Sequence, residues 1–461
     1  MRMGQAQGAA APRSWLDSYF GISRAGSSPA TEVVAGLTTF MTMAYILFVN
    51  PNILGSTGMD TGAVLMATAL SAGFASILMG LLARLPFALA PGMGLNAYFA
   101  FSVVLALGIP WQVVLGAVFI DGLIFLALSL LPIRERIIQE IPLNLKLATS
   151  VAIGLFIAFI GLQQAGVVVA SEATFVTLGK VASPGTLLAL GGLLLMGMLL
   201  ALKVRGALLW GILATTVAGM FVRVPSEGGG TTTLARIPQG LADIVAAPDW
   251  GVLASTLGQL RIGDALELGL ITVIFTFTFV DMFDTAGTFI GLATKLGILD
   301  RRGSFPGAGR ALIADATATC IGALLGTSTV TTYVESAAGV GAGGRTGLTA
   351  VVTGLLFLLS VFFWPLAGII PAQATAPALI IVGLLMAEPV GRIDFSDFTE
   401  ALPAFLTLVL MPLTFSIANG LVFGILSYVV LKILTGRIGD IKPTMWVLAV
   451  LFVAYFAVGA A

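Results

Sequence analysis

The chain has 461 residues with 22 basic and 22 acidic side chains, a formal net charge of zero, and is 58% hydrophobic but only 10% charged. Soluble domains carry roughly a quarter charged residues, so an aqueous globule is excluded, and the balanced charge argues against a nucleic-acid partner. A single cysteine, Cys320, and no histidine rule out an internal disulfide and a His/Cys metal cluster.

The first 30 residues set Arg2, Arg13 and Arg24 among Gly, Ala, Ser and Pro; they lack the compact apolar core of a signal peptide and read as a cytoplasmic tail. Apolar stretches then recur to the end of the chain, each long enough to cross a hydrocarbon layer of about 30 Å as a helix. In the first half, spans are predicted at 32–54, 62–82, 88–107, 111–131, 146–166, 185–203 and 206–222. In the second half they are predicted at 268–292, 308–326, 328–342, 346–368, 373–387, 402–418 and 419–435. With the N-terminus inside, every second loop is cytoplasmic and should be basic. Those loops hold Arg84, then Arg134, Arg136 and Lys146, then Lys203 and Arg205, then Lys295, Arg301, Arg302 and Arg310, then Arg345, then Arg392. Opposite loops such as "GIP", Gly108 to Pro110, are short and charge-poor. The pattern predicts an all-α polytopic protein of the cytoplasmic (inner) membrane with about fourteen crossings.

The one long polar stretch, 223–267, separates a first seven-span unit, 31–222, from a second, 268–436. An odd number of spans per unit inverts the second relative to the first, an arrangement common in transporters, whose sites lie at the midplane where helices are interrupted. The third span opens with "LAPGMGLNAYFAF", Leu89 to Phe101, and the tenth reads "GTSTVTTYVESAAGVGAGG", Gly326 to Gly344. Each predicts an extended piece joined to a half-helix. Broken backbone at membrane depth must be packed in protein or line a cavity, so the two segments are expected to face each other at one site. Beyond them, the segment 437–461 contains "WVLAVLFVAYFAVGAA", which reads equally as a fifteenth span or as a helix lying against the bundle.

Intramembrane acids are the chemistry-bearing residues. In "TFTFVDMFDTAG", Asp281 and Asp284 are three apart and share a helix face. No basic residue lies inside a predicted span except near its ends, which leaves function as the default reading for them, and for Glu335 at the predicted break of the tenth span. With no histidine, a proton carrier near neutral pH has to be a carboxylate whose proton affinity burial has raised; the three acids are the candidates. Asn96, in the opposite broken segment, is either a helix cap or a ligand group. Asp121 and Asn419 each adjoin a glycine and read as packing or capping. The segment "GVGAGGRT", Gly339 to Thr346, has the spacing of a phosphate loop, but it lacks the lysine and the preceding strand, so it reads as a turn.

Four motifs in order, "GLTTFMTMAYILFVNPNIL", "APGMGLNAYF", "FVDMFDTAGTFIG" and "TSTVTTYVESAAGVGAGGRTGLTA", resemble the AzgA-like adenine/guanine/hypoxanthine permeases of the nucleobase–cation symporter 2 superfamily. The likeness runs from Thr31 to about Gly436. It implies a UraA-like fold of seven plus seven inverted spans, with a core domain of spans 1–4 and 8–11, a gate domain of spans 5–7 and 12–14, and often a homodimer. The activity it implies is proton-coupled import of purine bases by an elevator or rocking motion, without cofactor or covalent chemistry. The substrate-binding set it implies is Gly94, Asn96, Asp281, Asp284, Val334 and Glu335, with protons carried by one of the three acids. The lack of histidine argues against the xanthine/uracil branch, whose site uses a Gln-His pair. An anion transporter of the sulfate-permease type would not surround its site with three acids. An intramembrane aspartyl protease would need a Gly-x-Gly-Asp motif, which does not occur in the chain.

Overall fold

The computed structural model describes residues 15–130, 140–225, 231–267, 271–300 and 304–459. Arg2, Arg13, Arg134, Arg136, Arg301 and Arg302 lie outside them. Every predicted span corresponds to a helix or an interrupted helix. The first half runs α2 (Pro29–Met43) with α3 (Ile46–Gly55), α4 (Thr61–Leu82), then strand β1 (Leu89–Pro91) leading into α5 (Met93–Ala97) and a π-helical stretch, Tyr98–Leu105. It continues with α6 (Trp111–Leu130), α7 (Leu143–Gln164), α8 (Pro184–Ala201) and α9 (Ala207–Gly219). The second half runs α10 (Ile271–Leu296), α11 (Ala308–Leu325), strand β2 (Val330–Thr332) with α12 (Ser336–Gly341), and α13 (Gly347–Leu359). After it come α14 (Ala372–Met386), α15 (Phe398–Leu413), α16 (Ile417–Leu434) and a last helix, α17 (Pro443–Gly459). Among the described residues ten helices are long and apolar enough to cross a membrane.

Polar residues that precede the apolar runs start the helices. Ser28, Asp60, Ser183 and Ser416 each accept a hydrogen bond from a backbone N–H of the first turn that follows. The first span departs from the single helix expected over 32–54: it breaks at Ala44 and Tyr45, which turns the Tyr45 side chain inward.

The helices pack as two groups. In one, α4 lies against α13 and α11, and α11 against α6. In the other, α7 lies against α14 and α15, α9 against α8, and α15 against α16. Between the groups the contacts are sparser, through α5 and α7, α3 and α14, α2 and α9, and α10 and α16. Close approach within the first group depends on small residues: a Cβ added to Gly80 would sit 2.4 Å from the Gly347 carbonyl oxygen, so α4 and α13 touch backbone to backbone. Helix α17 packs along α16, and its Phe452 ring meets Phe275 of α10 edge-on at 5.4 Å. At 17 residues it is roughly 25 Å long. Its first turn is held by Glu140, which accepts from the amide and hydroxyl of Thr444 at 3.0 and 2.6 Å.

From Trp15 onward, the stretch read as a tail is folded. Helix α1 (Trp15–Phe20) and Ile22 pack on Leu348 of α13. The glycine-rich "GVGAGGRT" supplies the last three residues of α12 and then the turn that leads into α13. Fully buried Glu32 of α2 accepts from the amides of Arg345 and Thr346 at 3.0 and 3.2 Å and from the Thr349 hydroxyl at 2.6 Å. The protein's own carboxylate therefore occupies the amides that a phosphate loop would offer. Hydrogen bonds to a charged group contribute about 1.5–3 kcal/mol each. Glu32→Gln should accordingly lower the thermal midpoint of the detergent-solubilised protein by several degrees, and an unchanged midpoint would refute this anchoring role.

At the end of α16, Lys432 is 3% exposed and its ammonium lies 3.2 Å from Glu400, 3.6 Å from Asp440 and 3.9 Å from Asp397. Asp397 caps α15 and also pairs with Arg437 at 2.7 Å. Hydrogen bonds from the hydroxyl and amide of Thr399 hold the Asp397 carboxyl below the ordinary carboxylate range.

Candidate substrate site

Two strands of three residues each form the centre of the first helix group. They pair antiparallel, Leu89 with Thr332, Ala90 with Thr331 and Pro91 with Val330, so the two interrupted spans do meet. A two-stranded ribbon leaves peptide groups unpaired on its edges, which is prohibitive at membrane depth unless protein satisfies them. Side chains do so here. The Ser76 hydroxyl bonds both the amide and the carbonyl of Leu89, at 2.9 and 3.1 Å. Ser336 accepts from the Ala88 amide at 2.9 Å, Thr319 donates to the Val330 carbonyl at 3.1 Å, and the Tyr333 hydroxyl donates to the Pro91 carbonyl.

Asp315 of α11 is the residue that locks this ribbon, and the sequence reading passed over it. Its Oδ1 accepts from the amide and hydroxyl of Thr332 at 2.9 and 2.8 Å, and its Oδ2 accepts from Thr285 of α10 at 2.7 Å. Thr285 in turn lies 2.9 Å from the Thr331 hydroxyl. One carboxylate thus ties α10, α11 and β2 together.

The residues singled out from sequence divide into two sets along this frame. Glu335 lies three residues past the end of β2, as the N-cap of α12, and is partly exposed. Its Oε1 accepts from the Tyr45 hydroxyl at 2.6 Å, while its Oε2 has no hydrogen-bond partner among the described residues. Asp284, also partly exposed, lies within electrostatic reach of Glu335 and Asp315. Val334 beside them is 59% exposed, so this end of the ribbon opens to the outside of the helix group.

Asn96, Asp281 and Gly94 sit differently. Because the strands are antiparallel, α5 and α12 leave from opposite ends of the ribbon, separated by roughly 10 Å of strand. Asn96 is fully buried one turn into α5, and neither polar atom of its amide has a hydrogen-bond partner among the described residues. Gly94 faces the second helix group: a Cβ there would lie 2.6 Å from Ile153 of α7. Asp281 is fully buried and accepts at 3.3 Å from Thr319, the residue whose hydroxyl also reaches the Val330 carbonyl. Helix α10 runs past both ends, meeting α5 and the π-helical stretch through the Phe277–Tyr98 ring contact at 5.0 Å and the Glu335 end through Asp284. Asp121 is fully buried on α6, and Asn419 sits next to Gly420, where α16 crosses α15 at Met411.

Two features escaped the sequence reading. Tyr45 sits in an apolar run with no visible punctuation, so its break left no signal. Asp315 did leave one, since it is an acid inside the predicted span 308–326.

Chemically, this end brings together two partly exposed carboxylates and a buried phenol that donates to one of them. There is no counter-cation among these groups, so the arrangement favours a neutral or donor-rich ligand over an anion.

A family model described as "Permease family" matches residues 30–423. The chain is 45% identical to the adenine permease AdeP of Escherichia coli over 95% of each chain. It is 46% identical to the guanine/hypoxanthine permease PbuG of Bacillus subtilis, over 96% of this chain and 99% of that one. Among solved structures, the transmembrane domain of a cyanobacterial bicarbonate transporter, BicA, superposes with a TM-score of 0.62 at 15% identity, covering 85% of this chain and 97% of that one, a likeness of fold alone.

Proposed function

The chain belongs to the Permease family, within the nucleobase–cation symporter 2 superfamily, and from that premise we propose that it carries the purine bases adenine, guanine and hypoxanthine into the cell with protons. It is a transporter and not an enzyme. The observation that carries the purine reading is the Tyr45–Glu335 hydrogen bond beside Asp284, with the second Glu335 oxygen left unengaged. A purine edge alternates N–H donors with ring-nitrogen acceptors. The Glu335 carboxylate accepts from such an N–H, and a site built this way rejects analogues that leave its buried groups unpaired.

Proton coupling follows from the same groups. Carboxylates at membrane depth with no buried cation opposite them are where a proton is taken up, and protonation changes what the site can accept, so proton and base binding are linked. The two packing groups support an elevator motion in which the ribbon-bearing core slides past the gate formed by α7–α9 and α14–α16. The exchange of partners between halves, α4 on α13 and α11 on α6, is what an inverted seven-plus-seven repeat produces. The same family resemblance implies the cytoplasmic membrane with the N-terminus inside, transport driven by the proton gradient without a cofactor, and often a homodimer.

The test is a binding panel on purified protein at pH 6 and pH 8. Adenine, guanine or hypoxanthine should raise the thermal midpoint, more strongly at one pH than at the other, and uracil and sulfate should not. A shift with sulfate, bicarbonate or uracil and none with the purines would overturn the substrate reading.

A further inference from the structure

At the end of the bundle where α4 finishes and α11 begins, an open, shallow depression of about 380 Å³ is lined by Tyr19, Leu78, Leu81, Leu82, Arg84 and Arg310. Its composition is divided by side. One wall is aliphatic and belongs to the last turns of α4, with Leu81 exposed; the rim carries two guanidinium groups. Among the described residues neither Arg84 nor Arg310 has a carboxylate partner. The acid that α1 carries, Asp17, is turned to the amide and hydroxyl of Ser23, at 2.7 and 2.8 Å.

The rim is built rather than incidental. Arg84 lies over the Tyr19 ring, 4.6 Å from its centroid, and the Tyr19 hydroxyl donates to the Leu81 carbonyl at 3.1 Å. Phe20 and Ile22 fix the same segment to α13, so Tyr19 holds the Arg84 side chain from beneath. Trp15 stacks on Tyr19 at 5.9 Å and is 73% exposed, the disposition of an aromatic residue in the headgroup layer. Two arginines without a carboxylate partner among the described residues, above a leucine wall at the membrane edge, complement a molecule that has a phosphate at one end and acyl chains at the other. Basic pockets between transmembrane helices bind anionic headgroups in this way. Arginine is suited to the task because its planar fork matches phosphate oxygens in pairs.

We propose that this depression seats the phosphate of an anionic membrane phospholipid, held by Arg84 and Arg310, with its acyl chains along Leu78, Leu81 and Leu82. The site lies outside the ribbon and the carboxylates that would hold a base.

The full-length protein in phosphatidylcholine nanodiscs, titrated with phosphatidylglycerol, provides the test. Phosphatidylglycerol should raise the thermal midpoint saturably, and native mass spectrometry should retain it in preference to phosphatidylcholine. Rising salt should weaken both effects, because the rim is solvent-facing. The Arg84→Gln/Arg310→Gln double variant should need at least tenfold more phosphatidylglycerol for the same shift, with purine binding unchanged. Equal retention of the two lipids by the wild type would overturn the proposal, and this measurement does not depend on how the variant folds. It would also be overturned if inorganic phosphate or glycerol 3-phosphate reproduced the shift, or if the double variant responded as the wild type does.

Discussion

Glu335→Gln is expected to reduce purine uptake into proteoliposomes by roughly 10- to 100-fold and to flatten its pH dependence. The magnitude follows from the loss of a charge-assisted hydrogen bond to the ligand, about 1.5–3 kcal/mol, at about 1.4 kcal/mol per tenfold. Glutamine keeps the shape and can still accept from the Tyr45 hydroxyl, now 2.6 Å from Oε1, so the fold should survive and the loss should lie in binding. What the amide cannot do is change its charge. A variant that bound purine more weakly but kept the full pH response would transfer the proton to Asp284 or Asp281, whereas full pH-dependent uptake would remove Glu335 from the site. Asp281→Ala provides the contrast. Its carboxylate accepts from Thr319, whose hydroxyl also reaches the Val330 carbonyl, so its loss should also disturb the ribbon and lower the thermal midpoint together with uptake.

The second large effect concerns stability. Asp315→Ala removes the acceptor for the Thr332 amide and for the hydroxyls of Thr332 and Thr285 at once. An orphaned buried donor costs about 1–3 kcal/mol, more where the missing partner was charged, so the variant should lose about 3 kcal/mol or more. Water is scarce at this depth and cannot replace the bonds. Thermostability followed by size-exclusion fluorescence should drop by many degrees, and purine binding should fail even in the fraction that remains folded. Asp315→Asn should be milder, because its carbonyl oxygen can still serve Thr332. If alanine is tolerated without loss, the ribbon is held by its strand pairing alone.

The sequence was most readable where a single physical constraint dominates. A thickness of hydrocarbon sets helix length, so each predicted span has its counterpart in the structure. Pro91, Gly92 and Gly94 and the β-branched run before Glu335 marked the two interruptions for a similar reason, since those residues disfavour helix wherever they stand. Tertiary geometry is another matter. Spacing put Asp281 and Asp284 on one helix face, but it did not tell that the first would bond Thr319 and the second lie within electrostatic reach of Asp315 and Glu335. The distance between Asn96 and Glu335 depends on strand direction, which two three-residue strands do not announce. Asp315 was legible as an intramembrane acid, but its regular Ala/Thr-rich helix carried no break to draw attention to it.

The strand pairing also bears on how such a chain comes to be assembled. Leu89 and Thr332 are neighbours in the ribbon but about 240 residues apart along the chain, and a ribosome adding about 5–20 residues per second needs roughly 10–50 s to supply the second strand. For that interval β1 is in or near the bilayer without its partner. The Ser76 hydroxyl, only one helix away and made just before it, already covers the Leu89 amide and carbonyl. The remaining peptide groups have to shelter in a translocon or at the water interface until β2 arrives. Biogenesis, more than the stability of the finished protein, is therefore where slowed synthesis or a weakened Ser76 should first be felt.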